Sequence, residues 1–456
     1  MDYTILSRSY DLRGIYGVDI DEDFFYKMGY AFAKVTQKSR IALGYDARLS
    51  SRALKDAFTD GANQAGATII DIGMCSSDML SFATCHYDDI EAGVMITASH
   101  NPKEYNGMKC LNHSGEPYNL KKYGREMVII MNEMHLGGTR ILPMIEEKNI
   151  LEDWIEHILA FIGKGIDYSK YTIVADGGNG VAGVFMNQLA EKAGFTMIPL
   201  YLEPDGNFPN HHPNPILAKN REEARQIILE GRADLGFCFD GDADRIMILD
   251  DLGNTLTSGI ISSVIVKMLD EKYPKSSYVG NTTVSHIFRD TVTELGCTYE
   301  REMVGHVYIR EHMMKNKNII YAGEHSAHYF FRDNYYMDSG ILAGMVFLGL
   351  IAQSGKKISE VVREYEKYVT LEESNFEVPN PKGAIEELTK IYMYEKYDLS
   401  DGITVEYDDG SWWNFRPSSN EPLLRLNMEA RTQERFDALF SEIMEHVRRF
   451  GESSDH

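Results

Sequence analysis

Tyr171 to Leu202 reads YTIVADGGNG, VAGVFMNQLAEKAG, FTMIPLYL: an apolar strand-like run, a helical segment closed by Gly194, and a second strand-like run. Unbroken apolar runs such as TIVA suit strands buried on both faces, so this strand–helix–strand unit needs a layered α/β domain around it. The same order recurs twice. Ile41 to Gly73 runs IALGYD, RALKDAFTDGANQAG, ATIIDIG, and Ser277 to Glu302 runs SYVGN, VSHIFRDTVTELG, CTYERE. Glycines close the helical segments in each, as expected at helix C-termini. Three related α/β domains with mixed sheets are therefore predicted. Beyond about Glu373 the order changes to a helix over Lys382–Lys396, then GITVEYDDGSWWNF, where Asp409-Gly410 marks a hairpin between alternating strands. A strand, LLRLNMEA, and a closing helix from Thr432 to Phe450 complete a C-terminal α+β domain, with Trp412 and Trp413 expected to pack on its sheet. The predicted divisions are residues 1–150, 151–254, 255–369 and 370–456.

Composition bounds the function. The 456 residues, 43% apolar and 25% charged, match a folded globular chain of several domains. With 69 acidic against 46 basic residues the net charge is -23, which repels nucleic-acid backbones and requires a local basic pocket for any anionic ligand. Five cysteines without a CxxC pair point to neither a disulfide framework nor a zinc site. The start, MDYTILSRSYDLRG, has no apolar targeting core, and the apolar stretch from Gly340 to Ala352 is too short to cross a bilayer and reads as a buried helix. A cytoplasmic protein with no nucleic-acid or membrane partner, monomeric or dimeric, is expected.

Four short segments carry chemistry. In Thr97-Ala98-Ser99-His100-Asn101-Pro102-Lys103-Glu104-Tyr105-Asn106-Gly107-Met108-Lys109, two turn signals, Asn-Pro and Asn-Gly, are expected to hold Ser99 and Lys109 on connected loops. A hydroxyl beside an imidazole, with an ammonium nearby, suits phosphoryl transfer: Ser99 carries the group while His100 and Lys109 meet its charge. Asp240-Gly241-Asp242-Ala243-Asp244-Arg245 follows a buried-strand pattern, and carboxylates at alternate positions of an extended chain share one face. Three crowded carboxylates repel unless a cation joins them. An EF-hand fails, because Arg245 stands where Gly is needed and Asp251 where Glu is needed; Mg²⁺ fits better. In Gly323-Glu324-His325-Ser326-Ala327-His328, a carboxylate and a hydroxyl two residues apart suit neighbouring sugar hydroxyls. In Arg416-Pro417-Ser418-Ser419-Asn420-Glu421-Pro422, an arginine fork followed by hydroxyls and an amide suits a phosphate. Taken singly, the first reads more readily as a serine capping a turn beside a surface histidine, and the last two read equally as ordinary polar loops.

In this order the four segments resemble those of the α-D-phosphohexomutase superfamily, nearest its phosphomannomutase/phosphoglucomutase group, over essentially the whole chain. TASHNPKEYNGMK is similar to the phosphoserine loop, DGDADR to the metal loop, GEHSAH to the sugar loop and RPSSNEP to the phosphate loop; YDLRGIYG with Arg13, and Gly305-His306, add two shorter matches. The resemblance implies four domains around a central cleft, a phosphoryl group on Ser99, and Mg²⁺ held by Asp240, Asp242, Asp244 and the Ser99 phosphate. It assigns Ser99, His100, Lys109 and Arg245 to catalysis, and Arg13, His306, Glu324, Ser326, His328, Arg416, Ser418, Ser419 and Asn420 to substrate binding. It implies a shift of phosphate between O1 and O6 of a hexose, mannose and also glucose, with hexose 1,6-bisphosphate as intermediate and activator. His325, where Met is usual, and Ser419-Asn420, where Asn-Thr is usual, put substrate preference at issue more than reaction type. The rivals are a phosphoglucosamine mutase, a simple phosphatase, and a non-catalytic sugar-phosphate-binding protein, which predicts loss of the nucleophile or the metal carboxylates, whereas Ser99 and all three aspartates are present.

Overall fold

The computed structural model describes residues 2–7, 9–134, 143–417, 423–450 and 452–453. Its packing divides into two compact units, the first made of Met1–Leu256, Met313–Lys317 and Ser326–Ser359, the second of Thr257–His312, Asn318–His325 and Glu360–His456.

The first unit holds two sheets. In one, the strands run in the order Leu12–Ile15, Tyr105–Asn112, Ala92–Ile96, Arg40–Tyr45, Thr68–Met74, Ile145–Glu147. Arg40–Tyr45 pairs in parallel with Thr68–Met74 and Ala92–Ile96, as the strand–helix–strand reading predicts, and Ile41, Ala42 and Leu43 are fully buried. The two strands carrying Arg13 and Lys109 are antiparallel, so the sheet is mixed. Here one expectation fails. Asn106-Gly107 is not a turn but lies within Tyr105–Asn112, so Lys109 sits on a strand and not on a loop. Asn106 is held by the Ser50 and Ser51 hydroxyls, and Gly107 lets the Leu12 carbonyl pass where a Cβ would lie 1.9 Å from its oxygen. Long-range pairing has overridden the local turn preference.

In the other sheet of this unit the order is Thr255–Leu256, Ile246–Leu249, Leu235–Phe239, Thr172–Asp176, Thr196–Leu200. Thr172–Asp176 pairs in parallel with Thr196–Leu200 and Leu235–Phe239, while Leu235–Phe239 and Ile246–Leu249 form an antiparallel hairpin whose tip is the acidic segment. Gly340–Ser354 is the expected buried helix, capped by the Ser339 hydroxyl. Among the described residues no single helix is long and apolar enough to cross a membrane.

In the second unit, Ser277–Asn281 pairs in parallel with Thr298–Glu302 and Ile319–Gly323, the third predicted unit. The C-terminal sheet is antiparallel, with Ile403–Glu406 and Trp412–Pro417 joined by the predicted hairpin and Leu423–Ala430 beside them. Trp413 lies in the core under the two helices, Pro381–Ile391 and Gln433–Val447. Trp412, on the other face, stacks on His286 at 4.6 Å. The helix expected over Lys382–Lys396 stops at Ile391, because Lys396–Asp398 is instead an edge strand pairing with Thr404–Glu406.

Candidate active site

Ser99 follows the strand Ala92–Ile96 in a left-handed conformation, φ 49°, and is fully buried. Its Oγ donates to Asp240 Oδ2 at 2.8 Å and accepts from Arg245 Nη2 at 3.2 Å. The same Arg245 nitrogen lies 2.6 Å from His100 Nδ1. A guanidinium only donates, so His100 Nδ1 is the acceptor and the ring is neutral. Burial first, then the Arg245 and Arg13 charges, hold its pKa well below the ordinary histidine range. Arg13 donates to the Ala98 carbonyl and to Asn101 Oδ1, which ties the strand Leu12–Ile15 to the serine loop.

The three carboxylates converge, but not along an extended chain. Asp240 ends the strand geometry, the Ala243 N–H returns to the Asp240 carbonyl at 3.1 Å, and Ala243 adopts φ 55°. The alternation expected from the sequence is thus replaced by a tight turn that places carboxylate oxygens of Asp240, Asp242 and Asp244 within 4.8 Å of one another. Small residues permit it: a Cβ on Gly241 would lie 2.6 Å from the Ser99 carbonyl oxygen, so the acidic turn rests backbone to backbone on the serine loop. Lys109 Nζ donates to Asp242 Oδ2 at 2.7 Å and Asp244 Oδ2 at 2.5 Å. Ser77, which the sequence reading missed, donates its hydroxyl to Asp242 Oδ2 at 2.6 Å.

Electrostatics separate the carboxyls. Burial and the neighbouring Asp244 and Asp242 push Asp240 well above the ordinary range. Burial would do the same to Asp242, but the charge and hydrogen bond of Lys109 hold it below. Lys109 itself is held above its usual value, because Asp242 and Asp244 outweigh the effect of burial. The Oδ1 atoms of Asp242 and Asp244 are buried without a hydrogen-bond partner. Buried oxygens left unpaired in a three-carboxylate set fit a hard divalent cation. His328 Nδ1 lies 2.7 Å from Asp338 Oδ2 and 3.9 Å from Asp244 Oδ1, so His328 borders this cluster. Ser326 is partly exposed, before Ala327 at φ 65°.

The remaining predicted residues belong to the second unit. Glu324 is buried, and its Oε1 accepts from the Gly305 N–H at 2.9 Å and from Asn281 Nδ2 at 3.2 Å. That bond joins the GEHSAH segment to the Gly305-His306 element, where His306 opens the helix His306–Lys315. Asn281, at the end of its strand, carried no sequence signal beyond that position. Arg416 Nη2 and Arg425 Nη1 each lie 3.0 Å from Glu373, so the two guanidiniums share one carboxylate. Glu373 is held below the carboxylate range because Arg416 and Arg425 outweigh its burial. Ser418, Ser419 and Asn420 lie outside the described residues.

The four domain patterns of one family cover the chain in order: phosphoglucomutase/phosphomannomutase alpha/beta/alpha domain I at residues 4–125, domain II at 152–253, domain III at 258–368 and the C-terminal domain at 373–446. The chain belongs to the phosphoglucomutase/phosphomannomutase family. It is 32% identical over 432 residues to the phosphohexose mutases of Xanthomonas campestris pv. campestris (strain B100), covering 93% of this chain and 94% of the relative. It is also 32% identical over 441 residues to the phosphomannomutase of Escherichia coli (strain K12), with the same shares covered. Its fold matches a family protein from Burkholderia thailandensis with a TM-score of 0.88 at 24% identity, over 99% of both chains. In this family member, the serine and acidic turns meet within one compact unit, and the GEHSAH carboxylate and the Arg416 fork belong to the other.

Proposed function

We propose that this family member interconverts hexose 1-phosphate and hexose 6-phosphate, with mannose and glucose phosphates both accepted, through a phosphorylated Ser99 and a hexose 1,6-bisphosphate. The observation that carries the reading is the buried Ser99 Oγ, held between Asp240 and Arg245 beside the carboxylate cluster. Burial keeps water from a phosphoryl group on that oxygen, which favours transfer over hydrolysis. Arg245 is aimed at the oxygen on which charge appears when the phosphoryl group leaves, and the neutral His100 fixes the guanidinium by accepting from it. Lys109 balances Asp242 and Asp244. In the transfer, the bond from phosphorus to Ser99 Oγ breaks as a bond from phosphorus to the free sugar oxygen forms; the sugar hydroxyl gives up its proton and Ser99 Oγ takes one up to become a hydroxyl, and the return step reverses these changes at the other end of the sugar.

Mg²⁺ on Asp240, Asp242, Asp244 and the Ser99 phosphate supplies positive charge to the phosphoryl group when bound. In this reading Glu324, Ser326 and His328 take sugar hydroxyls, and Arg13, His306, Arg416, Ser418, Ser419 and Asn420 take phosphate. Hexose 1,6-bisphosphate is the activator, because it restores phosphate to Ser99. An assay panel of mannose, glucose and glucosamine 1-phosphates with a trace of the matching bisphosphate tests it. Turnover of the first two is expected. Turnover of glucosamine 1-phosphate alone, or stoichiometric release of inorganic phosphate, would overturn the reading.

A further inference from the structure

Arg48 lies just past the strand Arg40–Tyr45, after Asp46 and Ala47, and its side chain is fully buried. Its guanidinium makes five hydrogen bonds. Nη2 donates to the carbonyls of Ser99 at 2.8 Å and Asn101 at 2.6 Å, Nη1 to those of Pro102 at 2.6 Å and Tyr105 at 2.9 Å, and Nε to Asp46 Oδ2 at 3.1 Å. That uses the whole donor capacity of the side chain, and four of the five acceptors are backbone atoms of the segment that carries Ser99. Asp46 is itself fixed, accepting from the Arg48 N–H at 3.0 Å and from the hydroxyls of Ser51 and Thr97. Thr97 Oγ closes the relay by accepting from the Ser99 N–H at 2.8 Å. Asp46 and Arg48 therefore grip Ser99 from both sides of its residue, one through its N–H and one through its carbonyl.

We propose that Arg48, oriented by Asp46, is the positioning residue that locks the Ser99 loop in the left-handed conformation required for transfer. The proposal rests on the reading of Ser99 as phosphoryl carrier. Ser99 stands at φ 49°, where a side chain bearing a Cβ is disfavoured, so the loop needs contacts that over-determine it. Arg48 provides them without touching the reacting hydroxyl: its hydrogen bonds go to carbonyls and to Asp46, and the groups on Ser99 Oγ are Asp240, Arg245 and His100. Its effect thus falls on the placement of Oγ, not on affinity for sugar phosphate. Lysine cannot substitute, since an ammonium has three donors radiating from one point and cannot span four carbonyls and a carboxylate.

The test compares wild type, Arg48→Lys, Thr97→Val and Thr97→Ser in steady-state hexose-phosphate turnover, with circular dichroism and thermal melting as the fold control. Arg48→Lys is expected to stay folded and lose about 100-fold in kcat with KM within about threefold, the size of effect that a displacement near 1 Å produces. Because removing a saturated buried arginine is severe, Thr97→Val gives an independent arm. It cuts only the link from Asp46 to the Ser99 N–H and is expected to lower kcat with KM kept, while Thr97→Ser, which retains the hydroxyl, restores it. Folded Arg48→Lys or Thr97→Val protein with wild-type kcat overturns the proposal. So does a loss that moves KM as much as kcat or follows the melting temperature alone. If instead Ser99→Ala retains turnover, the carrier reading itself is wrong, a result separate from either of these.

Discussion

At Ser99 a single hydroxyl meets a carboxylate, a guanidinium and an imidazole, and each partner reaches it from a distant part of the chain or from a neighbour turned aside by an unusual φ. Ser99→Ala removes only that hydroxyl. Its fold is expected to be unchanged and its turnover to fall at least about 1,000-fold, as for other enzymes stripped of their nucleophile. Mass mapping of the wild type should place phosphate on Ser99, and a variant with near wild-type turnover refutes the assignment. Asp242 has one oxygen bound by Lys109 and Ser77 and the other buried without a partner. Asp242→Asn is therefore expected to weaken Mg²⁺ binding, read by calorimetry, by at least about 10–100-fold, since changes one shell further from a metal already cost that much. Unchanged Mg²⁺ affinity in the variant would remove Asp242 from the ligand set.

Among the elements, the pairing of Leu12–Ile15 with Tyr105–Asn112 decides whether Arg13 and Lys109 reach the serine and acidic turns. Gly107 is the contact that permits it, with the Leu12 carbonyl where a Cβ would stand. Gly107→Ala forces the strands apart and is expected to cost about 1–3 kcal/mol, the usual range for overpacking, measured by urea denaturation. Activity should fall with it; an unperturbed midpoint would show that the strand yields freely. In the second unit, Glu406 joins the edge strand to its neighbours through Lys396 at 2.9 Å and Arg301 at 2.5 Å. Burial alone would raise its pKa, but those two hydrogen bonds hold it at about 2. The sign follows from linkage. A depressed folded pKa contributes stability that is full above the unfolded value, near 4.3, and is lost as pH falls from there towards 2. Glu406→Gln should therefore flatten the melting temperature between pH 5 and pH 3 relative to wild type. Parallel acid limbs in the two proteins would exclude this contribution.

For the molecule as a whole, the consequence of a bisphosphate intermediate is geometric. A hexose bisphosphate turned by about half a turn exchanges its two phosphates, so one set of groups must serve both orientations. The family resemblance assigns Glu324 and Ser326 to the sugar's O3 and O4, which roughly exchange places in that turn and are the same in mannose and glucose. Epimers at C2 are then poorly distinguished, because no buried group is left unpaired by the wrong one. Glu324→Ala is expected to lower kcat/KM for mannose and glucose phosphates in parallel. A strong loss with one sugar and none with the other would shift attention to His325, whose Nε2 lies 3.3 Å from Asn427 Nδ2.

The three strand–helix–strand units, the hairpin at Asp409-Gly410, the buried helix from Gly340 and the acidic segment were legible because each is a local pattern, set by apolar period, glycine position or turn chemistry, whereas the serine segment stood out through its resemblance to a family loop. Asn106-Gly107 and the end of the helix after Pro381 were not, since strand pairing, with Leu12–Ile15 in the first and with Ile403–Glu406 in the second, outweighed the local preference. The convergence of Asp240, Asp242 and Asp244 was expected, yet its route through a turn at Ala243 depended on the backbone of Ser99 lying against Gly241. Ser77, Asn281, Glu373 and the Asp46–Arg48 pair carried no spacing that linked them to the segments they support. A side chain's chemistry is written in the sequence, but what it touches is decided by tertiary packing. Arg48 and Ser99, 51 residues apart, become partners only when their strands lie side by side in one sheet.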